Sequence, residues 1–248
     1  MSPGMRRLLA STVGHFPVRV KSGVAMGARW TLFPWSSYWR GTHEPDVQRV
    51  LMLLGGGTIT GWNCWDLGAH YGIYSVALAR RVGPTGQVAA FEPNPASFAR
   101  LERHRRMNRL SWLKTYQAAV SDQSGSSELL NDGVPDSTTT HLRHDDEGHN
   151  AGTASVSIRT LRLDGLVESG ELRPPQFVKV DVEGHGHRAI EGMRLALAAS
   201  RPTLLIAFHS DREVRGVLSV LDPLGYTRSE VTRGTDGSMI GGDYLFSG

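Results

Sequence analysis

Two carboxylates two residues apart, Asp181 and Glu183 in Val178-Lys179-Val180-Asp181-Val182-Glu183-Gly184, are the residues of this chain best placed for chemistry. The apolar run before them reads as a buried strand, and the period of two along a strand puts both on the same side near its carboxyl end. A pair so placed can orient an acceptor and a cofactor, accept a proton from a hydroxyl, or offer oxygen ligands to a divalent ion such as magnesium. Capping of the following helix accounts for Glu183 more readily than for both. His209 closes a second apolar run, Leu204 to Phe208, beside Ser210 and Asp211. A neutral imidazole there can take a hydroxyl proton. His185 and His187 read as structural or surface residues, and His141, His144 and His149 as solvated.

A second group marks a nucleotide-type site. Asp66-Leu67-Gly68-Ala69-His70-Tyr71-Gly72 stands where a buried strand gives way to a helix, and glycines there let the backbone come close to a ligand. Glu92 lies 24 residues after Gly68, at the end of the next strand, where an acidic side chain can accept hydrogen bonds from both ribose hydroxyls. A nicotinamide dehydrogenase would show the same pair. Its fingerprint, however, wants three glycines and a pyrophosphate at the helix N-terminus, whereas this turn offers two glycines after the acidic Asp66. S-adenosylmethionine, with a sulfonium, an ammonium and no phosphate, fits that carboxylate better.

The elements that must position these groups follow from periodicity. Short apolar runs alternating with helix-length amphipathic segments indicate βαβ units on a parallel sheet. Seven strands are expected: Cys64 to Leu67, Gln87 to Phe91, Leu113 to Val120, Phe177 to Val182, Thr203 to Phe208, Tyr226 to Val231 and Tyr244 to Phe246. Helices are expected over Ile73 to Val82, Pro95 to Asn108, His187 to Ala199 and Arg212 to Leu224. Asn131 to Ser155 reads as a long polar loop, either a lid or disordered. Ahead of this domain (residues 63–248), residues 1–62 read as an extension that packs on the core and covers the cofactor site. It carries Trp30, Phe33, Trp35, Tyr38 and Trp39, then a helix from Glu44 to Leu54 started by Pro45. Tyr38 to Glu44 is its stretch best placed to wall the ligand pocket.

Bulk composition narrows the class. The 248 residues are 40% hydrophobic and 21% charged, with a formal net charge of +3, and no apolar run approaches a bilayer span. A soluble, cytoplasmic protein is expected, without a signal peptide or membrane partner. Cys64 is the one cysteine, so neither a disulfide nor a thiolate zinc site is available. Arg100, Arg103, Arg105, Arg106 and Arg109 scatter over more than one helix face, so no nucleic-acid partner is expected. A homodimer is compatible with the sequence.

The chain resembles the FkbM methyltransferase family over about its last two hundred residues. The resemblance rests on Trp65-Asp66-Leu67-Gly68-Ala69-His70-Tyr71-Gly72, Ala90-Phe91-Glu92-Pro93-Asn94-Pro95, Ala119-Val120-Ser121-Asp122, Thr160-Leu161-Arg162-Leu163-Asp164 and the Asp181 block, with Gly41-Thr42-His43-Glu44-Pro45 upstream. It implies a doubly wound, mostly parallel seven-stranded α/β sheet of the Rossmann-like class I methyltransferase kind. It also implies S-adenosylmethionine as cofactor. Asp66, Gly68, Ala69 and His70 would line the methionine end, with Tyr71 and Pro93 beside them in the same turns. Glu92 would hold the ribose, Ser121 and Asp122 would sit beside the adenine, and Glu44 would help enclose the cofactor. The family usually has Asn where this chain has His70, and a second Glu where it has Gly186. The implied reaction is O-methylation of a hydroxyl on a sugar, polyketide or other secondary metabolite. Two other readings stand beside it: a nicotinamide oxidoreductase, and a noncatalytic module that binds S-adenosylmethionine. A nucleic-acid amino-methyltransferase is disfavoured because Asp181-Val182-Glu183-Gly184 lacks the Asn/Asp-Pro-Pro-aromatic run of such enzymes.

Overall fold

The computed structural model describes residues 16–32, 36–131, 141–142 and 154–248. The extension begins with an antiparallel hairpin, β1 (Pro17–Arg19) and β2 (Arg29–Thr31), followed by helix α1 (Pro45–Leu53). Pro45 sits in the first turn of α1, where its fixed φ suits the helix and its missing N–H would have no partner anyway. The helix buries Val47, Gln48 and Leu51. Val20, Trp30, Val47, Leu51 and Leu54 share one apolar core with Cys64, Val76, Leu78 and Leu101.

Next come β3 (Asn63–Leu67), α2 (Ile73–Val82), β4 (Gln87–Phe91), α3 (Pro95–Met107) and β5 (Leu113–Tyr116). After an excursion through β6 (Ala119–Val120), β7 (Gly125–Asn131), β8 (His141–Leu142) and β9 (Ala154–Leu161), the chain forms α4 (Leu163–Glu168) and β10 (Phe177–Val180). It continues through α5 (Gly186–Glu191), α6 (Arg194–Ser200), β11 (Thr203–Ala207), α7 (Asp211–Leu221), β12 (Thr227–Glu230) and β13 (Asp243–Ser247). The main sheet has seven strands in the order β12-β13-β11-β10-β3-β4-β5. β13 runs antiparallel to β11 and β12; the other pairings are parallel. The doubly wound α/β sheet is therefore as expected from sequence.

Alternation along the strands divides the core into two layers. Cys64, Val88 and Ala90 face one layer, and Trp65, Leu67, Ala89 and Phe91 face the other. The chain leaves β3 towards β4 and β5, then returns to place β10 on the opposite side of β3. The strand order thus reverses between β3 and β10, which is where such sheets open a crevice at their carboxyl ends.

Three expectations change. Leu113 to Val120 is not one strand: β5 ends at Tyr116, and Ala119–Val120 pair with β9 in a second, four-stranded sheet ordered β6-β9-β7-β8. The polar segment 131–155 is flanked by strands, because β7 and β9 pair over seven residues and bury Leu129 and Ile158 with Ala119. Most of that segment, including His144 and His149, lies outside the described residues. The helix over His187 to Ala199 is broken into α5 and α6. Gly192 passes so close to Ser121 that a Cβ would lie 2.0 Å from the Ser121 carbonyl oxygen. The Asp164 carboxylate then accepts hydrogen bonds from the Leu195 and Ala196 N–H groups, restarting the helix as α6.

His104 ties the extension to the sheet domain. Its ring stacks on Trp30 at 3.5 Å, and Nδ1 lies 2.7 Å from the Tyr71 carbonyl. A carbonyl only accepts, so Nδ1 carries the hydrogen and Nε2 accepts from the Thr31 hydroxyl at 2.7 Å and its N–H at 3.2 Å. Burial pushes the imidazole pKa down to about 3, the Tyr71 contact opposing. An unfolded histidine would take a proton below about pH 6.5 that the folded one refuses, so this group's stability contribution is complete above about 6.5 and lost as pH falls towards 3. Replacing His104 with Ala is expected to cost about 2–4 kcal/mol, since it leaves buried partners unbonded and a void. It should also flatten the loss of stability below pH 6.5. Urea unfolding at pH 7 and 5 checks both; an unchanged pH slope would contradict the assignment.

Candidate active site

A cavity of about 320 Å³ opens at the switch point. Its walls come from the carboxyl ends of β3 (Gly68, His70), β4 (Phe91 to Pro93), β10 (Asp181 to Glu183) and β11 (Ala207 to His209). Ala118 to Val120 and Leu129 form one side, and Tyr38, His43 and Glu44 of the extension close over the top.

On the β3–β4 side the backbone turn is pinned. Gly68 and Ala69 both donate to the Phe91 carbonyl, at 3.0 and 2.9 Å. Gly68 has φ +80, and a Cβ there would lie 1.8 Å from the Asp181 carbonyl oxygen, so only glycine lets the two strand ends meet. Glu92 accepts from the His70 N–H at 2.7 Å and the Asn94 N–H at 2.8 Å. Burial raises its pKa to about 7 against those two hydrogen bonds. Each oxygen keeps a lone pair for a further donor, which is what a ribose diol supplies.

His70 adopts a left-handed backbone (φ 49), a conformation Asn tolerates better than His. Its ring stacks on Tyr71 at 3.7 Å, and Nδ1 lies 2.9 Å from the Tyr38 hydroxyl. Burial, with the Arg100 and His43 charges nearby, lowers its pKa to about 3, so the ring is neutral. Glu44 and Glu183 are also left-handed, at φ 43 and 48. Three of the five non-glycine residues in this region thus line one cavity, the clustering expected where strain is held for function. Glu44 accepts from the Tyr74 hydroxyl at 2.6 Å. Burial alone would raise its pKa, but His43, Lys179 and Tyr74 together hold it at about 2.

On the β10–β11 side, His209 is enclosed by carboxylates. Its Nε2 lies 3.5 Å from Asp181 and 3.6 Å from Glu183, and its Nδ1 lies 3.5 Å from Glu213. Burial would lower its pKa, but these three neighbours raise it to about 9. The neutral imidazole expected from sequence is therefore not the form that these surroundings favour at pH 7. Burial pushes the Glu183 carboxyl above its usual range, with His209 opposing.

Sequence reasoning missed Lys179 and Glu213. Lys179 is 4% exposed in the middle of β10, with its ammonium 2.8 Å from Asp181 and 5.2 Å from the centre of the Tyr74 ring. Asp181, Asp66 and Glu44 keep it charged despite burial. A lysine inside an apolar parallel strand was the available signal, since such a charge is buried only when paired. Glu213 is completely buried and accepts from the Gly186 N–H at 2.8 Å and the His209 N–H at 2.7 Å, stapling the loops after β10 and β11. A Cβ on Gly186 would meet that carboxylate at 2.3 Å. Glu213 therefore fills the space beside Gly186, where the family pattern has a second Glu.

Of the residues singled out from sequence, the cavity brings together Glu44, Gly68, His70, Glu92, Pro93, Asp181, Glu183 and His209. Asp66 lies beneath it, 1% exposed and bonded to the Ser75 hydroxyl at 2.5 Å. Burial raises its pKa, opposed by Lys179. Ala69 and Tyr71 are buried behind the turn. Ser121 and Asp122 do not line the cavity: the Ser121 hydroxyl bonds His185 at 3.0 Å and Asp122 at 2.9 Å, and the preceding Ala118 to Val120 face inward instead.

The hexuronic acid methyltransferase AglP of Haloferax volcanii is 29% identical over 196 residues, 78% of this chain and 75% of that protein. Methyltransferase 1 of Beauveria bassiana is 25% identical over 142 residues, 52% of this chain and 57% of the other. Among solved structures, a methyltransferase FkbM from Methylobacillus flagellatus KT superposes with a TM-score of 0.49 at 15% identity, over 75% of this chain and 43% of its own. Residues 66–227 match the model of the methyltransferase FkbM domain, and the chain belongs to that family of methyltransferases.

Proposed function

We propose that this protein transfers a methyl group from S-adenosylmethionine to a hydroxyl of a small molecule, with a sugar-type acceptor favoured by its relative's action on a hexuronic acid. The observation that carries the reading is the division of one cavity into two halves. The pinned turn at Gly68 with Glu92 suits a nucleoside, and Asp181, Glu183 and His209 gather where an acceptor would lie.

S-adenosylmethionine, when bound, would supply an electrophilic methyl on its sulfonium, to be taken by the acceptor oxygen with departure of a neutral thioether. Glu92 would hold its ribose diol, and Gly68 would let it approach the backbone. Tyr38, His43 and Glu44 limit water on the near side. The acceptor proton needs a base. At neutral pH His209 already carries a proton, so the receiving group is a carboxylate. Glu183, whose burial raises its basicity, takes this role, while Asp181 and protonated His209 orient the acceptor oxygen.

The Asp181, Glu183 and His209 ligand atoms all lie within 4.8 Å of one another, which favours a divalent ion as the second reading. With one imidazole in the set, manganese or zinc suits it better than magnesium. Lys179 and protonated His209 already engage both oxygens of Asp181, so the proposed enzyme works without an ion. Turnover is expected to survive EDTA; loss restored by manganese would favour the metal reading.

Asp181→Ala is expected to abolish transfer while leaving S-adenosylmethionine binding detectable by calorimetry, and an active variant would sink the proposed role. Glu92→Gln should weaken cofactor affinity about tenfold or more, the scale of hydrogen bonds to a charged group. NAD binding without S-adenosylmethionine binding would instead revive the oxidoreductase reading, and binding without turnover on any acceptor the noncatalytic one. The kcat profile should rise as Glu183 loses its proton and fall above about pH 9, where His209 loses the proton that positions the acceptor. A rate that keeps climbing through pH 9 would point to His209 as the base.

A further inference from the structure

The edge of the sheet away from the cavity carries a charge distribution that methyl transfer does not use. The first 110 residues hold 14 Lys and Arg against 5 Asp and Glu, while the remaining 138 hold 13 against 19. Such asymmetry points to a polyanionic partner for the first part. Among the described residues, Arg19, Arg29, Arg80 and Arg109 of this excess gather where α2 and α3 end, at the opposite ends of the strands from the cavity mouth. A shallow surface cavity there is lined by Arg19 and Arg29 of the hairpin, Arg80 in the last turn of α2 and Arg109 just past α3. Arg19 donates to the Gly27 carbonyl at 2.8 Å and Arg80 to the Met26 carbonyl at 2.8 Å, fixing two of the four groups in place. Among the described residues no carboxylate lines this cavity. Attraction to helix carbonyl ends accounts for Arg80, but not for Arg19 and Arg29, which come from strands.

Exposed apolar side chains stand beside these charges. Three of the six large hydrophobic side chains exposed among the described residues belong to this region: Met26, Met52 and Leu53. Met26 is 63% and Leu53 67% exposed. Arg81 donates to the Leu51 and Met52 carbonyls, so the end of α1 is fastened to the same helix end as the hairpin tip at Met26.

We propose that this edge is a peripheral docking surface for an anionic lipid bilayer, its arginines meeting lipid phosphates while Met26, Met52 and Leu53 enter the headgroup boundary. A nucleic-acid strand is the other common polyanion, but unbranched and aliphatic side chains give it none of the flat rings on which bases stack. No helix among the described residues is long and apolar enough to cross a membrane, so contact is from one side. The cavity mouth, at the far ends of the strands, stays open to its ligands. This surface is independent of the proposed reaction.

The test is co-sedimentation of the full chain with phosphatidylcholine vesicles, with and without about 30 mol% phosphatidylglycerol. Binding is expected only to the anionic vesicles, weakening as salt rises. Because each arginine near such a surface is worth about fivefold, Arg29→Gln with Arg109→Gln should weaken it on the order of 20-fold. Met26→Ser with Leu53→Ser should weaken it too, and methyl transfer should be unchanged in both variants. Millimolar pyrophosphate should compete poorly. Equal sedimentation with neutral vesicles, or undiminished binding by the arginine variant, would overturn the proposal. So would full displacement by pyrophosphate or tighter binding to single-stranded RNA, which would assign the arginines to a soluble anion or to nucleic acid.

Discussion

A single ammonium group stands at the centre of the sheet, and the acidic groups around the cavity depend on it. Taking Lys179 out of water costs several kcal/mol unless charges of opposite sign answer it. Asp181 does so at 2.8 Å, Tyr74 offers its ring face, and the carboxylates of Asp66 and Glu44 add their fields. The bargain is mutual, because Asp66 is buried and Glu44 and Asp181 are partly so. Three elements with no sequence proximity, β3, β10 and the approach to α1, are held in one electrostatic cluster, and the cavity opens above it.

A second cluster is built on the same plan, with one cation among three carboxylates. His209 is one cation among Asp181, Glu183 and Glu213, and Asp181 belongs to both groups. Lys179 engages Oδ2 of Asp181, while His209 faces Oδ1. That sharing fixes the carboxylate plane, which is what a group positioning an acceptor oxygen requires. Backbone geometry serves the same end. The left-handed residues Glu44, His70 and Glu183 are each followed or preceded by a helix start or tight turn, and packing around them holds conformations that an isolated chain would leave.

Much of this was legible in the sequence because it rests on short-range pattern. Alternating apolar runs identified the seven main strands, and the acidic residues at strand ends pointed to the crevice. What was not legible depends on groups distant in the chain. Glu213 lies on α7 yet bonds the N–H of Gly186, so its role emerges only when β10 and β11 pair. Ser121 and Asp122 sit in a matching block but turn towards His185, leaving Ala118 to Val120 to face the cavity. The strands β7 and β9 were hidden because Ser and Gly dilute their apolar signal. The alternation of Val156, Ile158 and Thr160 was present, but it gains meaning from Leu129 and Ala119 on partner strands. His209 was found by position and misjudged in charge: Glu213 is four residues along the chain, but Asp181 and Glu183 reach it from the loop after β10, which no local feature announces.

The most direct test of the central electrostatic claim is the unfolding free energy of Lys179→Met as a function of pH. Removing the ammonium while keeping the volume leaves the buried Asp66 without its cation, and Asp181 and Glu44 with only His209 and His43 beside them. A loss of about 3–5 kcal/mol is expected at pH 7, shrinking as the pH falls towards 5 and Asp66, whose pKa burial raises and Lys179 no longer opposes, takes up a proton. A variant as stable as the parent at pH 7, or one equally destabilised at both pH values, would contradict it.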